Sequence, residues 1–219
     1  MSTLTKVGVV DLTMPFSSRT IPVPGHPHAS FETLTELERD GIRNTLLTLS
    51  LHTGTHVDAP SHIIPDGRTI DEIEIDRFHR PGVRLDLTRL ATFGEPIGLD
   101  MLVEAGFEPG AARDSILLLN TGWSDEAWER EELYGGNPFL DRAAAEAVAE
   151  ARPSALGLDF AVDEAKPWPN HKILLGEEVL LVENLMGLRR LPGSGFMVSA
   201  FPLKIVGENG GPARVVAHV

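Results

Sequence analysis

Four side chains that bind divalent metals or move protons fall within one short stretch, His52-Thr-Gly-Thr-His56-Val-Asp58-Ala-Pro-Ser-His62. Neutral imidazole and ionised carboxylate are the usual nitrogen and oxygen ligands of zinc and similar ions. The chain has no cysteine, so disulfides and thiolate ligands are excluded and any metal is held by nitrogen and oxygen. His52 and His56 have the spacing of a helical zinc-protease motif, but the residues between them are Thr53, Gly54 and Thr55. None is a general-base glutamate, and a glycine with two β-branched residues makes a poor helix. The segment reads instead as a strand from Thr45 that runs into an irregular turn at Gly54, with Pro60 biasing Ala59 toward extended backbone. Such a turn aims His52, His56 and Asp58 at one point.

A second half of the site is sought among the later acids and histidines. Asp159 and Asp163 lie in Gly157-Leu-Asp-Phe-Ala-Val-Asp163, followed by His171 and then by Glu183 at the end of an apolar strand. An acid closing a buried strand is costly unless it is paired or binds metal. From spacing alone this half is weakly marked. His26 and His28, in a proline-rich loop, read as solvated residues that border a pocket at most, and His79 and His218 as structural or exposed. Trp123 reads as packing at a strand end, and the acidic run from Asp125 to Glu132 as a solvated helix face.

The elements that must position these residues are mostly short strands. Val7–Leu12, Thr45–Leu51 and the cleanly alternating Val83–Leu87 are strand-like. Ile116–Asn120, Ala155–Asp159 and Val179–Glu183 are continuous apolar runs, the mark of strands covered on both faces. Two more strands, from Phe196 to Val206 and from Ala213 to Val219, join through Glu208-Asn-Gly-Gly-Pro212. Helices are expected over Asp141–Arg152, stopped by Pro153, over Leu99–Ala105, and over Ser124–Leu133 with Ser124 as N-cap. Strands and helices are interspersed, which predicts one mixed α/β domain over residues 1–219.

The chain of 219 residues has no linker-like run, and no apolar stretch approaches the roughly 20 residues that span a bilayer. Residues 1–6 lack a basic start followed by an apolar core, so no secretory signal is read and a cytoplasmic location is expected. The net charge of −13 argues against nucleic acid as a partner, since phosphate binding needs clustered cations and Arg189-Arg190 is the only adjacent basic pair.

At these residues the chain resembles the cyclase family, which includes bacterial kynurenine formamidase and isatin hydrolase. The family pattern His-x-Gly-Thr-His-x-Asp-x-Pro-x-His is complete at His52 to His62. Shorter likenesses follow in the expected order at Asp11-Leu-Thr-Met-Pro15, Leu118–Trp123, Gly157-x-Asp159, Asp163, and His171 to Glu183-Asn-Leu185. The resemblance implies a swivelling β/α/β fold, assembled as homodimers or homotetramers, with zinc or manganese. It implies that His52, His56 and Asp58 hold one ion, that Asp58, His171 and Glu183 hold a second, and that His62 donates and accepts the proton. One departure concerns the substrate. Where formamidases of the family carry a tryptophan in a Pro-x-Trp-Pro-Gly loop, this chain has Pro22-Val23-Pro24-Gly25, so the aromatic platform for a kynurenine ring is missing at Val23.

The implied chemistry is hydrolysis of a small amide, an aryl formamide or a cyclic amide, since paired dications bring the pKa of a shared water from about 15.7 toward roughly 7. An imidazole with an ordinary pKa near 6.5 suits a group that takes and returns a proton, which is the role given to His62. Three other readings stay open: ring closure or lactone hydrolysis at the same site, metal binding without catalysis, and a purely structural domain.

Overall fold

A computed structural model describes residues 8–219. Twelve strands are present among the described residues: β1 (Val9–Asp11), β2 (Ser30–Thr35), β3 (Asn44–Thr48), β4 (His56–Asp58), β5 (His79–Asp86), β6 (Pro96–Ile97), β7 (Ile116–Asn120), β8 (Phe139–Leu140), β9 (Ala155–Leu158), β10 (Leu180–Glu183), β11 (Phe196–Pro202) and β12 (Gly210–His218). The helices are α1 (Leu37–Asp40), α2 (Leu99–Glu104), α3 (Pro109–Ala112), α4 (Trp123–Ala127), α5 (Arg142–Ala151) and α6 (Pro169–Gly176), with several single 3₁₀ turns. The main sheet runs β1-β12-β11-β5-β7-β9-β10-β4, and β4 also pairs with β12. That last pairing closes a seven-stranded barrel and leaves β1 as an outer edge.

Strands β5, β7, β9 and β10 are parallel neighbours, as βαβ crossovers through the intervening helices require. Alternation along each strand then makes two cores. Ile116, Leu118, Leu180 and Val182 fill the barrel with Val57, Val198, Val215 and Ala217. Leu117, Leu119, Leu156, Leu158 and Leu181 face outward under Ala144, Ala145 and Val148 of α5 and Leu174 and Leu175 of α6. The continuous apolar runs are therefore strands covered on both faces, as expected. α5 ends where the sequence ends it, with Asp141 as N-cap accepting from the Ala144 N–H at 2.7 Å.

Some elements differ from the sequence expectation. Val7 lies outside the described residues, as do residues 1–6, so the strand that begins there is seen only as Val9–Asp11. The expected strand from Thr45 is β3, but it pairs with β2 in a separate hairpin with no buried residue on either strand. Ser124 is not the N-cap of its helix. Gly122 is, in a left-handed conformation, because the Ser124 hydroxyl donates to the Asp159 carbonyl at 2.7 Å. The helix unwinds after Ala127 and re-forms only as a 3₁₀ turn over Glu131–Tyr134. α6 has no counterpart among the expected helices, since its pattern is short and only weakly amphipathic.

Asp159 ties the outer ends of β7 and β9 together. Its buried carboxylate accepts from the Thr121 N–H, the Thr121 hydroxyl at 2.7 Å and the Gly122 N–H at 2.6 Å. Burial pushes this carboxyl up to about 7 against the pull of those donors. The folded state thus keeps a proton that the unfolded chain releases near 3.8, so this group's contribution to stability falls as pH rises from 3.8 toward about 7. Asp159→Asn is expected to flatten the decline over that interval and to lower stability by about 1–3 kcal/mol, because an amide cannot accept from all three donors. Denaturant unfolding at several pH values checks both effects.

Candidate metal centre

Strand register brings the two halves of the site together. β4 lies antiparallel between β10 and β12, with His56 opposite Glu183 and Pro212, and Asp58 opposite Leu181 and Gly210. Residues two apart on a strand share a face, so His56 and Asp58 point the same way, toward Glu183 across the ladder. Val57 and Val182 point the other way, into the barrel. The turn before β4 adds His52. Gly54 makes this turn possible with φ +71°, and a side chain there would meet the Phe16 ring at 3.1 Å. Gly210 is needed for a different reason: a Cβ would stand 2.6 Å from the Val57 carbonyl and 3.0 Å from the His52 ring.

His171 comes from the first turn of α6. Asp163 fixes it by accepting from the Asn170 and His171 N–H groups and from His171 Nδ1 at 2.7 Å, which leaves Nε2 facing the carboxylates. His171 Nε2 lies 3.7 Å from Asp58 Oδ2 and 3.8 Å from Glu183 Oε1. His56 Nε2 lies 3.2 Å from Asp58 Oδ1 and 3.9 Å from Glu183 Oε2. Those separations are mostly too long for hydrogen bonds but suit ligands of a common ion, since donors about 2.1 Å from one zinc stand about 3.4 Å apart at tetrahedral angles.

Every histidine of this set has one ring nitrogen occupied elsewhere, as metal ligands usually do. His56 Nδ1 donates to the Gly54 carbonyl at 2.8 Å. His52 Nε2 meets Asn209 Oδ1 at 2.6 Å, while its Nδ1 contacts Asp58 Oδ1 at 2.6 Å, a hydrogen-bond distance. Two groups bring potential ligand atoms within 4.8 Å of one another: His52, His56 and Asp58, and Asp58, His62 and His171. Asp58 belongs to both. Glu183 borders the second group, within which His62 also stands. Asp58 Oδ2 is buried and has no hydrogen-bond partner among the described residues. A buried carboxylate oxygen without a donor is expensive, and a cation is the partner that suits it. The donor set therefore fits divalent metal, held through nitrogen and oxygen.

The electrostatics point the same way. Burial favours the neutral imidazole of His56, yet the Asp58 and Glu183 carboxylates overcome it and raise its pKa to about 9. Burial likewise opposes ionisation of Asp58, but the His56 and His52 rings hold it well below the ordinary range. Glu183 is pushed up by burial and by Asp58. His62 behaves oppositely: burial first, then the His52, His171 and His56 rings, lower it to about 4 despite Asp58. It is neutral at pH 7 and lies against His52, tilted by 33° at 4.0 Å between ring centroids.

A cavity of about 560 Å³ opens onto this centre, walled by Val23, Pro24, His26, Tyr134, Trp168 and the loop from Ala161 to Lys166. A hollow of about 660 Å³ beside α5 and α6 is lined by charges such as Arg113, Glu146 and Lys172 and holds none of the motif residues. All six sequence-derived site residues thus border one cavity. Trp123 is instead buried in the outer core, its indole N–H donating to the Leu133 carbonyl at 3.0 Å. Asp163, singled out as part of the second half, orients His171 rather than facing Asp58. Sequence reasoning missed Asn209, which looks like an ordinary turn residue, and Tyr134, whose acidic surroundings look like a solvated helix.

The family model described as putative cyclase matches residues 10–164. Kynurenine formamidase of Salinibacter ruber is 29% identical over 217 residues, covering 96% of this chain and 97% of that one, and the Bacillus cereus enzyme of the same name is 28% identical over 211 residues, 94% and 95%. The structure of isatin hydrolase A from Labrenzia aggregata bound to benzyl benzoate superimposes with a TM-score of 0.84 at 27% identity, covering 97% of this chain and 94% of that one. A structure described as a potential metal-dependent hydrolase with cyclase activity gives 0.78 at 26% identity, with 97% and 98% covered. With the motif complete, its residues gathered on one cavity and the family model spanning most of the length, this chain belongs to the cyclase family.

Proposed function

We propose that this protein is a metal-dependent hydrolase of a C–N bond in a small amide, an aryl formamide or a cyclic amide, acting within one domain over residues 1–219. The observation that carries the reading is the register of β4 against β10, which faces Glu183 toward His56 and Asp58 across a cavity floor that also receives His171. Relatives named kynurenine formamidase and isatin hydrolase support the bond type. His52, His56 and Asp58 would hold one ion, and Asp58, His171 and Glu183 a second, with zinc or manganese as the metal. A bound pair supplies polarisation of the carbonyl and an acidified water. The residues do the rest. Asn209, Gly54 and Asp163 hold the three ligand imidazoles in their tautomers, and neutral His62 accepts a proton from the attacking water. As the C–N bond breaks, His62 returns that proton to the departing nitrogen, so hydroxyl ends on carbon and hydrogen on nitrogen.

The cavity bears on the substrate. Val23 stands where a formamidase tryptophan is expected, so a substrate other than formylkynurenine fits better. Lactone hydrolysis or ring closure is the second reading, favoured by the cyclase activity named for one structural relative. A homodimer or homotetramer is supported by the β2–β3 hairpin, where Phe31, Leu34, Leu46 and Leu47 are 41–47% exposed on a two-stranded unit that is marginal alone. No helix of the described residues is long and apolar enough to cross a membrane, and a cytoplasmic location is compatible with that.

Elemental analysis of protein prepared without chelator should find about two divalent ions per chain, as expected of a two-metal site. Asp58→Ala and Glu183→Ala should lose metal and activity together, and an active Glu183→Ala protein with both ions would sink the assignment of Glu183 to the second ion. Asn209→Ala should weaken metal affinity about 10- to 100-fold through a misoriented His52. His62→Ala should keep its metal and lose about 10²- to 10⁴-fold in kcat against N-formylanilines, isatin or simple lactones. If metal is lost instead, His62 is a ligand. Leu46→Glu should shift light-scattering mass toward the monomer, and an unchanged mass would remove the hairpin from the interface.

A further inference from the structure

Tyr134, the only tyrosine in the chain, is a half-buried residue whose hydroxyl the steps above leave unused. It ends the 3₁₀ turn Glu131–Tyr134 and forms part of the cavity wall. Its oxygen accepts a hydrogen bond from Asn184 Nδ2 at 3.2 Å, so the phenol's own proton is not spent on that contact, and it has no acceptor among the described residues. Asn184 is itself held firmly. Its side-chain nitrogen also donates to the Gly54 carbonyl at 3.1 Å, its carbonyl accepts from the Thr55 hydroxyl at 2.7 Å, and its backbone sits at φ +58°. A non-glycine residue in that region is held there by its surroundings, and such positions cluster at functional sites. Because Asn184 follows Glu183 directly in the chain, the Tyr134 hydroxyl is fixed relative to the carboxylate side of the centre.

His62 comes from a different part of the chain, the 3₁₀ turn Pro60–His62. Its ring lies 4.0 Å from that of His52 and 5.6 Å from that of His171 between centroids. The cavity thus has two proton-bearing groups in its lining, each supplied by a separate turn of the chain. A carbonyl under attack needs two kinds of help: a partner for the negative charge growing on oxygen, and a proton for the departing nitrogen. A phenol, with an ordinary pKa near 10, is a donor at neutral pH and suits the first. His62 suits the second.

We propose that the Tyr134 hydroxyl donates a hydrogen bond to the carbonyl oxygen of the bound amide as that oxygen gains charge, with Asn184 holding the phenol in place. This role rests on the hydrolase reading above. It makes Tyr134 a catalytic residue and Asn184 a positioning residue.

The test is Tyr134→Phe in the metal-loaded protein, with N-formylaniline and isatin as substrates. Phenylalanine keeps the ring, and Asn184 keeps its bond to the Gly54 carbonyl, so the fold survives the change. Removing a donor that acts only on the developing oxyanion should lower kcat and kcat/KM together by about 10- to 100-fold, with KM nearly unchanged. Metal content by mass spectrometry and melting temperature should match the parent. A Tyr134→Phe protein with the parent's kcat overturns the role, and so does a loss of rate that is matched by a loss of metal. Asn184→Ala should reproduce part of the fall in kcat and, in protein that keeps the parent's metal content, add little when combined with Tyr134→Phe; full additivity at unchanged metal content would overturn the positioning role. If the parent itself turns over neither amides nor lactones, the hydrolase reading fails and this role with it. An active parent beside an equally active Tyr134→Phe removes Tyr134 alone.

Discussion

Two carboxylates that belong to different parts of the chain, Asp58 and Glu183, are buried beside each other at the edge of a closed barrel. Like charges in a low-dielectric setting repel, and each also loses its hydration. Such a pair persists only if positive charge is supplied. Three imbalances in the structure reflect that demand: the raised pKa of His56, the raised pKa of His171, and the partnerless Oδ2 of Asp58 among the described residues. The pairing of β4 with β10 is what brings the carboxylates together, and the glycine at 210, on the β12 side of β4, is what lets His52 close over them. The fold itself therefore creates the demand for cations that the centre meets.

The same side chain, histidine, is shifted in opposite directions at two places around one cavity. His56 is surrounded by carboxylates on one side and a backbone carbonyl on the other, so its ring nitrogens are directed and its affinity for positive charge is high. At His62 burial, helped by the neighbouring imidazoles, outweighs the Asp58 carboxylate, so the ring stays neutral. The two imidazoles are separated by environment rather than by residue type, as pairs of titratable groups in active sites usually are.

Strands hold the carboxylates, whereas loops and short helical turns supply the walls that a substrate would touch. Val23, Trp168 and Tyr134 come from three separate connections. Rigid scaffolding under variable loops allows one metal chemistry to be turned toward different small molecules. Trp168 sits at φ +61° where it begins α6, with its ring 6.3 Å from that of His171, so an aromatic surface is present on the cavity wall even though Val23 supplies none.

Much of the site was legible in the sequence because it is local. His52, His56, Asp58 and His62 lie on one short strand and the two turns that flank it, and nitrogen and oxygen ligands at that spacing have few other uses. The buried strands were legible too, since Ile116–Asn120 and Val179–Glu183 are nearly uninterrupted apolar runs. The helix carrying His171 was not, because eight residues with little amphipathic contrast leave no periodic signal, and its start is set by Asp163 from a distance. Nor could the sequence tell that β3 would stand in an exposed hairpin, as alternation records a face without saying what covers it. Asn209 and Tyr134 carry no mark at all, and only barrel closure and the turn after α4 bring them to the cavity. Residue chemistry determined which groups are able to bind and move charge. Long-range strand register, which depends on packing across the whole barrel, decided which of them meet.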